Sequence, residues 1–555
     1  MKVKSGDRAA VKWVLAKSRK QHPRLIMLVI GNALYAAMSV LFALMCRSII
    51  DGATGGLKEK MLSGVLGLLL VIGGMLALRL FCNGLNERVR AELENDLRQD
   101  IFGALLKKDF SSTAAYHSGE LLNRMFSDVN IVVDGAVGIF PPLVNMLTRL
   151  VGAAAVLLML DMRFTLIFIC AGTLLFAISL LLRRRIKHLH KDVQEKQGIV
   201  RSFLQESTEN LLAVKSFGVQ DKMLSRSREN QTLHFRARMK RRAVTILANA
   251  GFGFVFQMGY LYAIAWGGFR LLDGTMSFGT LTAILQLVNQ IQQPFAELSS
   301  LMPRFYGMTA SAERIMELQQ LPDEPMAERT LGYEKLSEIK TENMDFSYKN
   351  NHVLKNVNIS IKKGELVSLT GISGGGKSTL FLLLLGAYHP QGGSIGFLSE
   401  SGESFSPGAE TRPLLAYVPQ GNILFSGTVR ENIAFLNDSA SEQEIISAAE
   451  TACAMEFISA LPDGIDTRIG ENGFGISEGQ AQRIAVARAI LGGAPVMLLD
   501  EATSALDEDT EARLLRNIAA LKDRTVLIVT HRRAALDICT KHLTLKNGEI
   551  LYERI

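Results

Sequence analysis

The stretch "ELVSLTGISGGGKSTL", Glu365–Leu380, decides how this 555-residue chain is read. Leu366–Thr370 is a short apolar run that predicts a strand, and an apolar helix is expected from Lys377 onward. Between them lies Gly371-Ile372-Ser373-Gly374-Gly375-Gly376-Lys377-Ser378-Thr379. Glycines let successive backbone N–H groups turn inward, and the helix start adds positive potential, so this is a phosphate-binding loop in its required strand–loop–helix setting. Lys377 is placed to reach the β- and γ-phosphates of a nucleotide, and the Ser378 hydroxyl to ligate Mg²⁺.

Two further segments converge on the same edge. "APVMLLDEATSALD", Ala494–Asp507, contains an apolar run that predicts a buried parallel strand and delivers Asp500 and Glu501 to its C-terminal end. Asp500 suits the Mg²⁺ shell, and Glu501 suits polarisation of an attacking water. "RTVLIVTHR", Arg524–Arg532, ends another strand at His531, a candidate γ-phosphate contact.

Upstream, the composition changes. Six apolar stretches are long enough to cross a bilayer as helices, near residues 25–46, 62–82, 136–160, 164–182, 246–269 and 279–303. The net charge of +7 is not spread as in a nucleic-acid binder. Lys and Arg number 8, 6 and 16 in residues 1–24, 84–135 and 183–243, against 2, 1 and 1 in residues 49–60, 161–163 and 270–278. That alternation is the positive-inside pattern and puts both termini in the cytoplasm, with no nucleic-acid partner. The two long inside segments carry helical spacing without breakers and are expected to form helical hairpins reaching about 30 to 40 Å into the cytosol. "RAAVKWVLAKSRK", Arg8–Lys20, reads as a basic interfacial helix with Trp13 at the headgroups. The five cysteines are scattered without paired spacing, so packing is their expected role.

At this point the chain resembles the ATP-binding cassette (ABC) family, as an exporter-type half-transporter. The fold class expected is multi-domain: an all-α polytopic membrane domain with long cytoplasmic helical extensions over residues 1–320, a linker over 321–335, and an α/β P-loop ATPase domain over 336–555. The resemblance rests on "FSYKN", "YVPQGNILFSGTVREN", "ISEGQ" and "SALD" beside the phosphate loop. It implies that Tyr348 stacks on adenine and that Gln420 serves near Mg²⁺ and water and links to the membrane domain. It also implies that Ser477, Gly479 and Gln480 form a signature closing on ATP held by an opposite P-loop, with Asp507 in the adjoining loop. Glu471 corresponds to a family residue near the transmission interface. Two departures stand out: Ile476 replaces a leucine, and Glu478 replaces a glycine beside the anion site. "YHSGELLNRMFSDV" and "ESTENLLAVKSFGVQ" resemble segments whose tips, Ser111–His117 and Leu211–Val219, dock on cassettes.

The expected activity is export driven by hydrolysis of Mg²⁺-ATP, by alternating access of a homodimer or of a pair with a related half-transporter. The expected cargo is a peptide, drug-like or other amphipathic molecule, and the expected site is a bacterial cytoplasmic membrane with its lipids as partners. A lipid or lipid-linked sugar flippase, an ATP-gated channel or regulator, and a soluble P-loop enzyme are the rival readings. Gln286, Gln290, Gln293 and Glu297 recur at spacings of four, three and four, so they form one polar stripe that either lines a pathway or holds the bundle together. Arg79 and Arg149 are the two cations inside the spans; either suits an anionic cargo group, the alternatives being pairing with Glu297, snorkelling or contact with lipid phosphate.

Overall fold

The computed structural model describes residues 5–327, 330–349, 351–421, 424–470, 475–521 and 524–553. Side chains are described over these except at residues 5–6, 169, 171–187, 249, 252, 293–300, 302, 534 and 553. The chain divides into two units, one of residues up to Gly103 with Ser118–Gln319, the other of Ala104–His117 with the chain from Gln320 onward.

The first unit is helical. It contains α1 (Ser5–Lys17), α2 (His22–Thr54), α3 (Lys58–Leu105, whose last two residues belong to the second unit), and, after the short α4 (Phe110–Thr113) of the second unit, α5 (Ser118–Asn123). Then follow α6 (Val129–Leu160), α7 (Met162–Glu209), α8 (Leu211–Ser216), α9 (Gln220–Leu272) and α10 (Phe278–Gln319). A helix of 48 residues such as α3 runs about 70 Å, far beyond the thickness of a bilayer. Among the described residues, four helical stretches are long and apolar enough to cross a membrane: Arg19–Thr54, Lys58–Leu105, Ser118–Leu160 and Gln220–Leu272. The apolar stretches at 164–182 and 279–303 fall on α7 and α10, where many side chains lie outside the described residues.

Apolar side chains explain the packing. Leu28 of α2, Val89, Leu93 and Leu97 of α3, Val132 and Val133 of α6, and Ile315 of α10 share one buried cluster. A second cluster joins Val40, Leu157, Phe164, Ala263, Leu287 and Val288. By contrast, Leu66, Leu69, Leu70, Leu76 and Leu80 of α3 are exposed, as the lipid-facing side of a span requires. Trp13, expected at the headgroups, stands on α1 beside the end of α10. Its indole N–H donates to Gln319 Oε1 at 3.0 Å, and Ala10 and Val14 of the same helix are buried in the first cluster, so this face of α1 is satisfied by protein. Ion pairs Lys17–Asp100, Lys20–Asp96 and Arg24–Glu92 then run along α3 in descending order, so the entry to α2 lies antiparallel to the C-terminal half of α3.

The second unit is α/β. It is built from β1 (Leu336–Tyr348), β2 (Asn351–Lys362), β3 (Leu366–Gly371), α11 (Lys377–Leu384), β4 (Gly392–Ser399), β5 (Ser404–Phe405) and β6 (Leu415–Val418). Next come β7 (Gly427–Thr428), α12 (Val429–Ile433), α13 (Glu442–Thr451), α14 (Met455–Ile458), β8 (Arg468–Ile469) and α15 (Glu478–Leu491). The remainder is β9 (Val496–Asp500), α16 (Glu508–Ala519), β10 (Thr525–Val529), α17 (Arg533–Leu536), β11 (Lys541–Lys546) and β12 (Glu549–Glu553). One sheet has the order β2-β1-β4-β5, another β12-β11-β3-β10-β9-β6. In the larger sheet β11, β3, β10, β9 and β6 are parallel, and only β12 runs antiparallel. Every residue of β9 and β10 is buried, because apolar side chains project to both faces and both faces are covered. Phe381 and Leu384 of α11 belong to the core shared by both sheets, while α12 to α16 pack on a second core around Ile484 and Leu514.

Candidate nucleotide site

The parallel order brings the ends of β3, β6, β9 and β10 to one edge, the position at which open α/β sheets bind ligands. At the end of β3, Gly371 has φ +146°, and a Cβ there would lie 2.4 Å from the Leu545 carbonyl oxygen. Only glycine permits that approach. Gly374 and Gly376 also take positive φ, and Gly375 donates its N–H to the Ile372 carbonyl at 3.0 Å, so a tight turn closes from Ile372 to Gly375 just before α11. Lys377 is 5% exposed, with its ammonium donating to the carbonyls of Gly371 at 2.8 Å and Ile372 at 3.0 Å. Thr379 donates its hydroxyl to the Tyr348 phenolic oxygen at 3.4 Å, placing Tyr348 beside the first turn of α11.

Asp500 ends β9 almost wholly buried. Burial pushes its carboxyl above the usual range, opposed by hydrogen bonds from the Ser378 and Tyr417 hydroxyls, the latter at 3.3 Å. A buried carboxylate ringed by hydroxyls is a hard-oxygen donor set, and these residues fit Mg²⁺. The next residue, Glu501, adopts φ +49°, a left-handed conformation that costs a non-glycine residue about 1 kcal/mol or more. That turn takes its side chain away from β9, where Glu501 Oε2 accepts a hydrogen bond from Gln420 Nε2 at 2.7 Å. His531, just beyond β10, is exposed.

The signature segment differs from the cradle expected of it. Ser477 caps α15: its hydroxyl accepts from the Gln480 N–H at 3.3 Å, and its own N–H donates to Gln480 Oε1 at 2.9 Å. The reciprocal cap is the reason that the Ser477 N–H is not an anion donor here. Gly479 is buried, and a Cβ on it would sit 2.7 Å from the Ala505 carbonyl oxygen, so the helix start lies tight against the loop before Asp507. Asp507 itself caps α16 by accepting from the Thr510 N–H at 2.9 Å, which holds its carboxyl below the usual range. Glu478 is solvent-exposed, and Glu471 lies outside the described residues.

Three side chains beside the site escaped the sequence reading. Tyr417 was hidden as one aromatic in a strand; only its partner Asp500 gives it meaning. Gln482 donates to the Ser504 hydroxyl at 3.2 Å and accepts from the Ala505 N–H at 3.3 Å. Arg532 donates to the Leu506 and Ser504 carbonyls, both at 2.7 Å, and to the fully buried Glu511 at 3.0 Å. The arginine following His531 was the available signal.

In the helical unit, the polar stripe is only partly described. Gln290 donates to the Ser39 carbonyl at 2.7 Å and accepts from the Ser39 hydroxyl at 3.3 Å, tying α10 to α2. The Gln286 side-chain oxygen is shielded from solvent and bonded to nothing among the described residues. The Gln293 and Glu297 side chains lie outside the described residues. Arg149 stands 5.8 Å over the Tyr35 ring, whereas Arg79 is exposed on α3.

Residues 25–295 match the model of the ABC transporter transmembrane region, and residues 354–504 match the ABC transporter model. The chain belongs to the ABC transporter family. It carries a helical membrane domain and one ATP-binding domain in a single polypeptide, the exporter-type half-transporter arrangement, and membership makes it an ATPase coupled to transport. "ABC transporter B family member 1" of Dictyostelium discoideum is 31% identical over 82% of this chain, which spans half of that relative's length. An "ATP-dependent lipid A-core flippase" of Syntrophus aciditrophicus is 28% identical over 98% of this chain and 91% of its own. A putative multidrug export ATP-binding/permease protein of Staphylococcus aureus is 28% identical over 82% of this chain and 80% of its own. The fold matches the structure of a bacterial Atm1-family ABC exporter with ATP bound at a TM-score of 0.79, covering 96% of this chain and 94% of that one at 24% identity.

Proposed function

We propose that two copies of this chain form a Mg²⁺-ATP-driven exporter of amphipathic molecules in a bacterial cytoplasmic membrane, with residues up to 320 as membrane domain, 321–335 as linker and 336–555 as ATPase domain. The observation that carries the reading is the Gln420–Glu501 hydrogen bond beside the buried Ser378–Asp500 pair, on the strand edge that holds Lys377. In this reading Lys377 and the backbone of Gly371–Thr379 hold the phosphates, Tyr348 stacks on the base, and Ser378, Asp500 and Gln420 hold Mg²⁺. When bound, Mg²⁺ neutralises charge on the β- and γ-phosphate oxygens. Glu501 accepts a proton from the attacking water, oriented by Gln420, and His531 donates to the γ-phosphate.

Two features support a dimer. Ser477, with its hydroxyl, is solvent-exposed at the start of α15, while Gly479 seats that start on the loop before Asp507, so the exposed end of the helix can close over nucleotide held by a second copy. The ATP-binding unit also exposes Phe425, Phe435 and Leu436, two of them stacked 4.6 Å apart under Arg488, and the helical unit exposes Leu212 and Phe217 at the α8 tip. Apolar groups of this kind exposed on both units fit docking of one copy's tip on the other's cassette. The relative called a lipid A-core flippase keeps lipid translocation as the second reading.

The test is ATP-dependent transport in sealed vesicles of purified protein, with a labelled drug-like amphiphile and a labelled lipid run in parallel. Uphill movement of the amphiphile supports export, and movement of the lipid alone moves the assignment to a flippase. ATP turnover at full rate by single, unpaired copies overturns the dimer.

A further inference from the structure

Segment Ala104–His117 is the turn between α3 and α5, yet it belongs to the ATP-binding unit. It is held there by more than one kind of bond. The Glu324 N–H donates to the Lys107 carbonyl at 2.8 Å, and the Asp109 N–H to the Pro322 carbonyl at 3.0 Å, so the turn and the start of the linker pair as extended chains. The Lys108 ammonium donates to the Leu321 carbonyl at 2.6 Å and pairs with Asp323 at 2.7 Å. Asp109, 9% exposed, caps α4 and lies 3.6 Å from His389.

Beside that pair, four aromatic rings form a continuous path. The Phe110 ring on the turn meets Tyr388 edge to face at 5.9 Å and 89°. Tyr388 meets Tyr348 at 5.3 Å and 87°, and Phe346 at 5.6 Å. Tyr348 meets Phe346 at 4.9 Å and 90°. Tyr388 follows α11, the helix that begins with Lys377 of the phosphate loop, and the Tyr348 hydroxyl accepts from Thr379 on the same helix. Edge-to-face contacts fix ring orientation because a positive ring edge points at a negative ring face. A tilt of Tyr348 therefore changes the seat of Tyr388, and with it the seat of Phe110.

We infer that Tyr388 is a positioning residue that couples base recognition at Tyr348 to the docked turn at Phe110. The inference rests on the reading of Tyr348 as the base-stacking ring. The free face of Tyr348, 37% exposed, takes the base; the opposite contacts run through Tyr388 to a turn continuous with the membrane helix α3. Coupling between two binding events is reciprocal, so a well-docked turn tightens base binding by the same factor by which the base favours docking.

The experiment uses the full-length protein in lipid discs, with ATP KM and kcat measured for Y348L, F110L, Y388L, Y388F and F110L/Y348L, and with Mg²⁺-tripolyphosphate as a competitor that has no base. Phe110 is half exposed, so F110L leaves folding intact and removes only the ring. The expected result is a rise in ATP KM of about three- to tenfold for F110L and Y388L. Their kcat changes less than twofold, tripolyphosphate inhibition is unchanged, and Y388F restores the parent KM. F110L/Y348L is expected to be no worse than Y348L. An F110L KM within twofold of the parent, or effects of F110L and Y348L that multiply, overturns the coupling while leaving Tyr348 as the base-stacking ring. A parent-like KM for Y348L itself removes the base-stacking reading and the coupling with it.

Discussion

Glu501 and Gln420 are held together by a 2.7 Å hydrogen bond from the Gln420 amide, although they come from different strand ends and 81 positions apart in the chain. The bond leaves the second Glu501 oxygen to accept a water proton, and it depends on the left-handed turn that Glu501 adopts after Asp500. Glu501→Gln is expected to bind ATP at parent affinity and lose about a hundredfold or more of turnover, the range of a lost general base. Gln420→Ala keeps the carboxylate and is expected to lose about tenfold. Equal ATPase rates for Glu501→Gln and the parent in a phosphate-release assay remove the general-base assignment.

Gly479→Ala places a methyl carbon against the Ala505 carbonyl, a backbone atom that cannot swing aside. Overpacking of this kind costs about 1 to 3 kcal/mol, and here it also displaces the loop leading to Asp507. The expected outcome is a modest fall in melting temperature with a much larger fall in ATPase rate and unchanged ATP affinity. A variant that loses stability without losing turnover shows that the Gly479–Ala505 contact is packing alone.

Arg532→Ala strands Glu511, which is fully buried and among the described residues keeps the Thr503 hydroxyl, at 2.6 Å, as its other side-chain donor. Leaving a buried carboxylate without its cation costs about 3 kcal/mol. Chemical denaturation of the isolated transition of the ATP-binding unit measures it. The double variant Arg532→Ala, Glu511→Gln is expected to recover part of the loss, because it removes the stranded charge.

Glu92 ties the entry of α2 to α3. Hydrogen bonds from Arg88 and Gln21, together with Arg24, hold its carboxyl down at about 2 against an ordinary 4.5. A carboxylate depressed in the folded state contributes stability that is fully present above pH 4.5 and is lost as pH falls toward 2. Glu92→Gln is therefore expected to lower the melting temperature at pH 7, with the gap to the parent closing as pH is lowered from 4.5. A gap that stays constant across that range removes the ionised carboxylate from the explanation.

Gln290→Ala tests the polar stripe. Its two bonds to Ser39 join α10 to α2, and interhelical bonds of this kind contribute about 1 kcal/mol within membranes. Loss of thermal stability with unchanged cargo stimulation of the ATPase assigns Gln290 to the bundle. Altered stimulation at parent stability assigns it to the pathway.

The primary sequence by itself determined the class of each half. Apolar runs of bilayer length with cations on alternate sides require membrane helices, because unsatisfied backbone cannot enter lipid. A strand, a glycine loop with Lys377 and a helix require a phosphate site, because those residue types carry the chemistry locally. What lies far apart in the chain was decided only by the tertiary structure: the Gln420–Glu501 bond, Tyr417 on Asp500, the Arg532–Glu511 clamp and the ring path from Phe110 to Tyr348. The same holds for Ser477, whose residue type fits both an anion cradle and a helix cap; the geometry of α15 uses its N–H for the cap. Periodicity records which face of an element is buried, whereas a pair of side chains meets only once parallel strands and their loops have been brought into register.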